Sequence, residues 1–362
     1  MRAEDAPFTD RVRRAMALAA RYAAVSGEGK VTPRLMLAAL LAMERSVARG
    51  MLGKLGVDVA ALARVFPAHR PAPGERVRVD GVGYSAEAEG VVEWAVRAAR
   101  ELGAGHVGTE HLLLALLEAG GGEVIASLRE AGLKPTSLRL QILRQMGAPA
   151  GRLQEASLYV LLTSSVASKP LFETAQAVIA GGADVIQYRE KGLADGPFLA
   201  NAVVLRKMSR DAGVLFIVND RVDVALLAGA DGVHLGQMDL PAAQARRLLG
   251  PTRIIGVSTH NEREARQALA QRPDYIAAGS MFATATKEQP ELGGLPYLSL
   301  LLRELKPECP VYAIGGITLE NLSQVLAVGA GRVAVCSAII GKDDIRGACA
   351  AFKKALAGAP PQ

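Results

Sequence analysis

VLFIVNDRVDVALLAGADGVHLGQMD, residues 214–239, shows how the second half of the chain is built. A short β-rich run, Leu215 to Asn219, is followed by a helical stretch and then by another short run, Gly232 to Leu235. Six more such runs lie around it: Leu158 to Thr163, Val185 to Arg189, Ile254 to Ser258, Tyr275 to Ser280, Val311 to Gly315 and Val333 to Ser337. Eight strands alternating with helices in about 200 residues predict right-handed βαβ units, a parallel sheet and a compact (β/α)8 TIM barrel. An open doubly wound sheet is the competing architecture. No glycine fingerprint follows the first strand, which argues against a dinucleotide-binding fold.

The first half reads differently. Thr32-Pro-Arg-Leu-Met-Leu-Ala-Ala-Leu-Leu returns as Thr109-Glu-His-Leu-Leu-Leu-Ala-Leu-Leu, and each copy follows another helical pattern, Val12 to Ala23 and Val91 to Leu102. Apolar spacing at period 3.6, with a threonine set to cap each leucine run and Glu110 in the first turn, predicts an all-α double repeat. The proline- and glycine-rich stretch Phe66 to Gly83 separates the copies as a loop. His106 and His111 sit at a helix entry, where capping or core roles are expected rather than a metal site. Met146 to Gln154 (MGAPAGRLQ) is read as a small-residue linker. The expected division is a helical domain at 1–148, a linker at 149–156 and a barrel at 157–358.

A chain of 362 residues suits two cores. Its apolar runs fall short of the roughly 20 residues that cross a bilayer. The N-terminal MRAEDAPFTDRVRR has no apolar signal core, so no membrane association and a cytoplasmic location are expected. The three cysteines, Cys309, Cys336 and Cys349, form no Cys-x-x-Cys pair and are expected to be reduced. The net charge of +6 comes from bases mixed with acids, and aromatic residues make up only 4%, so nucleic-acid binding is not expected.

Reacting residues of a (β/α)8 barrel lie at the C-terminal strand ends, and the polar residues gather there. They are Gln187-Tyr188-Arg189-Glu190-Lys191, Asn219-Asp220, Gln237-Met238-Asp239, Ser258-Thr259-His260, Gly279 to Lys287, Gly315-Gly316-Ile317 and Cys336-Ser337. Together they describe a site for two phosphorylated ligands. Gly316 lets backbone approach a phosphate, Thr284, Thr286 and Ser337 add hydroxyls, and Arg189, Lys191 and Lys287 surround a diphosphate. Asp220 and Asp239 are hard oxygen ligands suited to Mg2+. Each piece has a plainer reading. Gly-Gly is a common turn, Asn-Asp can cap a helix, and a lone Lys287 would be solvated. Their joint placement on seven successive strand ends outweighs those readings.

The ordered set QYREK (187–191), NDR (219–221), GVHLGQ (232–237), Asp239, GVS (256–258) and TATK (284–287) resembles the thiamine-phosphate synthases over roughly residues 158–356. The resemblance implies that a pyrimidine diphosphate meets Gln187, Tyr188, Arg189, Glu190, Lys191, Asn219, Ser258 and Lys287. Mg2+ would be held by Asp220 and Asp239, and a thiazole phosphate would meet Thr284, Ala285, Thr286, Gly316, Cys336 and Ser337. It also implies dissociative chemistry, in which diphosphate leaves and the thiazole nitrogen captures a pyrimidinylmethyl cation, with Arg189, Lys191 and Lys287 as the catalytic cations. Ser280 departs from the Gly-Pro step usual in that family, and Cys336 stands at a commonly aliphatic position.

The helical repeat resembles the N-terminal domain of the Clp chaperone ATPases over roughly residues 7–145, which implies a surface for a protein or peptide partner. No Gly-x-x-x-x-Gly-Lys-[Ser/Thr] phosphate loop accompanies it, so ATP-driven unfolding is not expected of these residues. A packing or oligomerisation unit is the alternative. For the barrel, a thiazole tautomerase or a non-catalytic phosphate sensor competes with the synthase. The presence together of Arg189, Lys191, Asn219, Asp220, Asp239 and Lys287 favours the synthase, because a tautomerase needs no diphosphate apparatus.

Overall fold

The computed structural model describes residues 8–66, 81–283 and 293–358. Two compact units are present, Met1–Gly151 with Gly250–Thr252, and Arg152–Leu249 with Arg253–Gln362.

The helical unit contains α1 (Asp10–Ser26), α2 (Pro33–Ala42), α3 (Val47–Lys54), α4 (Val59–Val65), α5 (Ala86–Glu101), α6 (Thr109–Ala119), α7 (Gly121–Glu130) and α8 (Pro135–Gln145). The two leucine runs become α2 and α6. Apolar almost all round, they sit at the centre of the core, where Leu35, Leu37, Leu40, Leu112, Leu113 and Leu116 are at most 2% exposed. The short strands β1 (Lys30–Val31) and β2 (Gly83–Tyr84) pair in parallel and tie the two copies together.

The two threonines play different parts. Thr32 caps α2, its hydroxyl accepting from Leu35 N at 3.4 Å. Thr109 is already the first residue of α6 and accepts from Ala48 N at 3.2 Å. The expected threonine cap on α6 is therefore corrected: Gly108 N donates to His111 Nδ1 at 2.9 Å instead. Burial holds the His111 imidazole below its usual pKa, against the pull of Glu110, which keeps that nitrogen free to accept. The segment read as a linker contains a one-turn helix, α9 (Pro149–Arg152), with Ala148, Ala150 and Leu153 buried.

The second unit is a closed barrel of eight parallel strands in chain order: β3 (Leu158–Leu162), β4 (Val185–Tyr188), β5 (Leu215–Asn219), β6 (Gly232–Leu235), β7 (Ile254–Thr259), β8 (Tyr275–Gly279), β9 (Val311–Ile314) and β10 (Val333–Val335). Around it lie α10 (Leu171–Ala180), α11 (Asp195–Asp211), α12 (Val222–Leu227), α13 (Ala242–Leu249), α14 (Glu262–Ala270), α15 (Gly294–Leu300), α16 (Leu322–Val328), α17 (Ser337–Ile340) and α18 (Ile345–Leu356). With helices outside and packed side chains inside, the strands are buried on both faces and read as continuous apolar runs.

An aspartate stands before each of three alternate strands at the barrel's N-terminal end. Asp184 accepts from Leu158 N at 2.9 Å and from Lys353 Nζ at 2.5 Å. Asp231 accepts from Phe216 N at 2.9 Å and from Arg206 at 2.8 Å, and Asp274 accepts from Ile255 N at 2.7 Å and pairs with Arg246. Each carboxylate thus joins the start of the preceding strand to a basic side chain of a surrounding helix.

Candidate active site at the C-terminal end of the barrel

The alternation of side chains along the strands decides what faces the interior. Leu161 and Gln187 share a register position, as do Ser258 and Ala277, and all four line a cleft that opens at the C-terminal strand ends. Arg189, Asn219, Gly316, Cys336 and Ser337 line the same cleft. One residue further along β4, Tyr188 points the other way. Its ring packs on Phe198 with centroids 4.6 Å apart, and its hydroxyl accepts from Asn201 Nδ2 at 3.1 Å. The expectation that Tyr188 meets a ligand is corrected: it belongs to the layer between β4 and α11.

Glu190 also has a different place from the one expected, because its carboxylate accepts from both Ser164 N and Ser164 Oγ and so ties the loop after β4 to the loop after β3. Lys191 is exposed at the rim. Arg221, from the same motif as Asn219, is engaged by Asp195 at 2.5 Å and Asp223 at 2.6 Å.

Asp220 turns out of β5 with φ +62, a left-handed conformation uncommon outside glycine that asparagine and aspartate adopt more often than other residues, and its N–H donates to the carbonyl of His234 at 2.8 Å. This turn sets its carboxyl beside that of Asp239, whose Oδ2 accepts from Gly236 N at 2.6 Å. Burial, then the hydrogen bond and charge shared with Asp239, push Asp220 up to about 6, while Lys191 and Arg189 pull it down. Two carboxylates and two cations therefore stand within reach of one another, and Arg189 among them lines the cleft. Among the described residues no cluster of three or more His, Cys, Asp or Glu side chains could hold a metal ion. The Asp220–Asp239 pair is a partial ligand set of the kind Mg2+ completes with phosphate and water.

On the opposite side, Gly315 (φ +99) and Gly316 (φ +64) admit no side chain. A Cβ would lie 2.6 Å from Ser280 Oγ at the first and 2.6 Å from Ala283 O at the second. Asn321 closes this turn, its Nδ2 donating to Gly316 O at 2.8 Å and its Oδ1 accepting from Thr318 N at 2.9 Å. Burial pushes the Cys336 thiol up to about 11 against the pull of Arg189, so it lines the wall as a neutral group. Thr284, Ala285, Thr286 and Lys287 lie outside the described residues.

Thr163, His234, His260 and Thr318 also line the cleft, although the sequence gives them no role. His234 had a usable signal, since it falls in β6 at the register position of Gly256, two residues before Ser258 on the inward face. His260 had none. It is held by Glu264, which accepts from its Nδ1 at 2.8 Å and its N–H at 2.9 Å. Burial would raise Glu264, and the bonds from His260 outweigh it and hold that carboxyl below the usual range.

The fold and the cleft define a (β/α)8-barrel enzyme with its polar residues at the C-terminal strand ends. A family model described as thiamine monophosphate synthase matches residues 158–339, and one described as the Clp repeat N-terminal domain matches residues 7–131. The chain belongs to the thiamine monophosphate synthase family, whose members are transferases, and carries a Clp repeat N-terminal domain ahead of the barrel.

A thiamine-phosphate synthase of Moorella thermoacetica is 42% identical over 202 residues, 55% of this chain and 95% of that protein. One from Synechocystis is 46% identical over 189 residues, 52% of this chain and 54% of that protein. The solved thiamine phosphate pyrophosphorylase of Pyrococcus furiosus, 37% identical, aligns with a TM-score of 0.52 over 57% of this chain and 96% of its own.

Proposed function

We propose that the barrel condenses 4-amino-5-hydroxymethyl-2-methylpyrimidine diphosphate with 4-methyl-5-(2-phosphoethyl)thiazole, giving thiamine phosphate and diphosphate in a Mg2+-dependent reaction. The observation that carries this is the carboxylate of Asp220, next to Asn219 in the chain, paired with that of Asp239 and within electrostatic reach of Lys191 and of Arg189, which lines the cleft with Asn219. Holding two carboxylates together is unfavourable without a cation, and a diphosphate brings the remaining oxygen ligands.

Asp220 and Asp239 would hold the Mg2+, which when bound offsets charge on the leaving diphosphate. Arg189 and Lys191, with Lys287, stabilise the same charge as the C–O bond breaks. Gln187, Asn219 and Ser258 orient the pyrimidine. The turn at Gly316 and the hydroxyl of Ser337 face the thiazole phosphate, whose ring nitrogen forms the new C–N bond. The chemistry asks for no strong general base, in keeping with a wall of neutral groups such as Cys336. The Clp repeat domain supports a second role, a contact surface for a protein or peptide partner.

The test is turnover with both substrates and Mg2+, followed by product analysis. Thiamine phosphate formation abolished by chelation is the expected result. No product at saturating Mg2+ would leave a phosphate-binding barrel in its place.

A further inference from the structure

Four hydrogen bonds run unbroken through the barrel interior from Gln187 to Ser258. Gln187 Nε2 donates to Tyr159 Oη at 2.8 Å, and Tyr159 Oη lies 2.9 Å from Tyr275 Oη. Tyr275 Oη meets His234 Nδ1 at 2.9 Å, and His234 Nε2 meets Ser258 Oγ at 2.8 Å. Gln187, Tyr159, Tyr275 and His234 are each at most 5% exposed.

The packing leaves Tyr275 little freedom. Its ring stacks on His234 with centroids 5.6 Å apart and meets Tyr159 and Tyr312 edge-on. It also occupies the space over Gly256, where a Cβ would lie 1.9 Å from its Cζ. Burial raises the pKa of both relay phenols, so each keeps its proton.

Proton counting then fixes the direction of the chain. An amide NH2 can only donate, so Tyr159 accepts from Gln187, and along the chain the Tyr159 hydroxyl hydrogen has Tyr275 Oη as its acceptor. Tyr275 donates to His234 Nδ1, and a neutral imidazole that accepts at Nδ1 carries its proton on Nε2. Ser258 Oγ accepts that proton and keeps its own hydroxyl hydrogen to give. At the other end Gln187 Oε1 is buried without a hydrogen-bond partner in the wall of the cleft. One end of the relay accepts and the other donates.

We propose that Tyr159, Tyr275 and His234 are positioning residues that lock Gln187 as an acceptor and leave Ser258 its hydroxyl hydrogen to donate. The cleft thereby selects a heteroaromatic ring with an exocyclic amino group and a ring-nitrogen lone pair over its oxo counterpart. The oxo ring presents the reverse pattern, a carbonyl and a ring N–H, and sets its carbonyl oxygen against the buried Gln187 Oε1, two acceptors face to face. This deepens the functional reading above and rests on the barrel taking an aminopyrimidine. Breaking the chain at its middle frees both ends, because Gln187 can then turn its amide and His234 can change tautomer.

The experiment measures binding of the aminopyrimidine diphosphate and of its 4-oxo counterpart by calorimetry, with Mg2+ and without the thiazole phosphate. It compares the wild-type chain with Tyr275→Phe and Tyr159→Phe, and with Tyr312→Phe as a control. Tyr312 packs on the same rings, but its hydroxyl donates to Ala156 O, outside the relay. Wild type is expected to prefer the amino ring by roughly 100-fold or more, and either relay variant to lose at least about tenfold of that preference. Tyr312→Phe should keep it, and KM for the thiazole phosphate should not move in any variant. Nitrogen NMR of the histidine ring should report His234 with its proton on Nε2 in wild type and a mixture of tautomers in Tyr275→Phe. An unchanged preference in relay variants that melt cooperatively, or an Nδ1-protonated His234 in wild type, would overturn the relay. Absence of turnover by wild type would strike the functional reading instead, and the His234 tautomer would still decide the relay.

Discussion

Asp220 combines two costs that ordinary folding does not need, a left-handed backbone and a carboxyl pressed against another carboxyl. Asparagine tolerates the same backbone and removes the charge. Asp220→Asn is therefore expected to melt no lower than wild type in chelator, while turnover falls by at least about a hundredfold and thiazole phosphate binding is retained. A melting temperature several degrees lower in chelator would mean that the carboxylate serves the fold. The sequence marks Asp220 and Asp239 because acids at the ends of parallel strands stand out. It does not separate Gln187 from Tyr188, and the misassignment of Tyr188 comes from reading a five-residue motif as one surface when side chains alternate along β4. The same alternation would have pointed to Tyr159, His234 and Tyr275, but buried tyrosines read as core until their hydroxyls are seen to meet.

At the level of elements, strand runs and leucine helices were legible because their apolar patterns are local, whereas helix ends and strand starts depend on distant partners. Thr109 matches Thr32 in sequence, yet its hydroxyl serves Ala48, 61 residues away in the chain, so the cap passes to His111. A buried imidazole held below its usual pKa binds its proton later than the unfolded chain does as pH falls. Stability from His111 is thus full above about pH 6.5, the unfolded value, and is lost as pH drops through the folded value. His111→Gln supplies an acceptor at the same position without titrating. Its thermal midpoint should fall less than that of wild type between pH 7 and pH 5.5, and parallel curves would remove His111 as the cause. The aspartates before β4, β6 and β8 had only a faint signal, the Ala-Asp steps at Ala183 and Ala230. Asp231→Ala takes away the acceptor of Phe216 N and leaves Arg206 without its carboxylate. A loss of about 3 kcal/mol is expected from breaking such a pair, read by denaturant titration, with KM for both substrates unchanged because the residue sits at the end of the barrel remote from the cleft.

For the whole molecule, the change from a helical repeat to strand–helix alternation falls near residue 150, which is why two units could be read from patterning alone. The segment between them was less legible: small residues suggest a loose linker, but Ala148, Ala150 and Leu153 are buried and Pro149 opens a helical turn. Every residue assigned to the proposed chemistry comes from the barrel strands and the loops that follow them, and the barrel sheet closes on itself through β10 and β3. A chain beginning near Leu153 is therefore expected to fold and to keep the kcat/KM of the full chain for both substrates. Residues 1 to about 150 should fold separately as a helical domain that acts on partner choice or stability rather than on bond formation. The comparison needs both fragments expressed alone, with cooperative melting shown before kinetics are measured. A loss beyond about tenfold, roughly 1.4 kcal/mol of transition-state stabilisation, in a barrel that still melts cooperatively would show that the helical domain helps to form the site, and the independence of the two units would have to be given up.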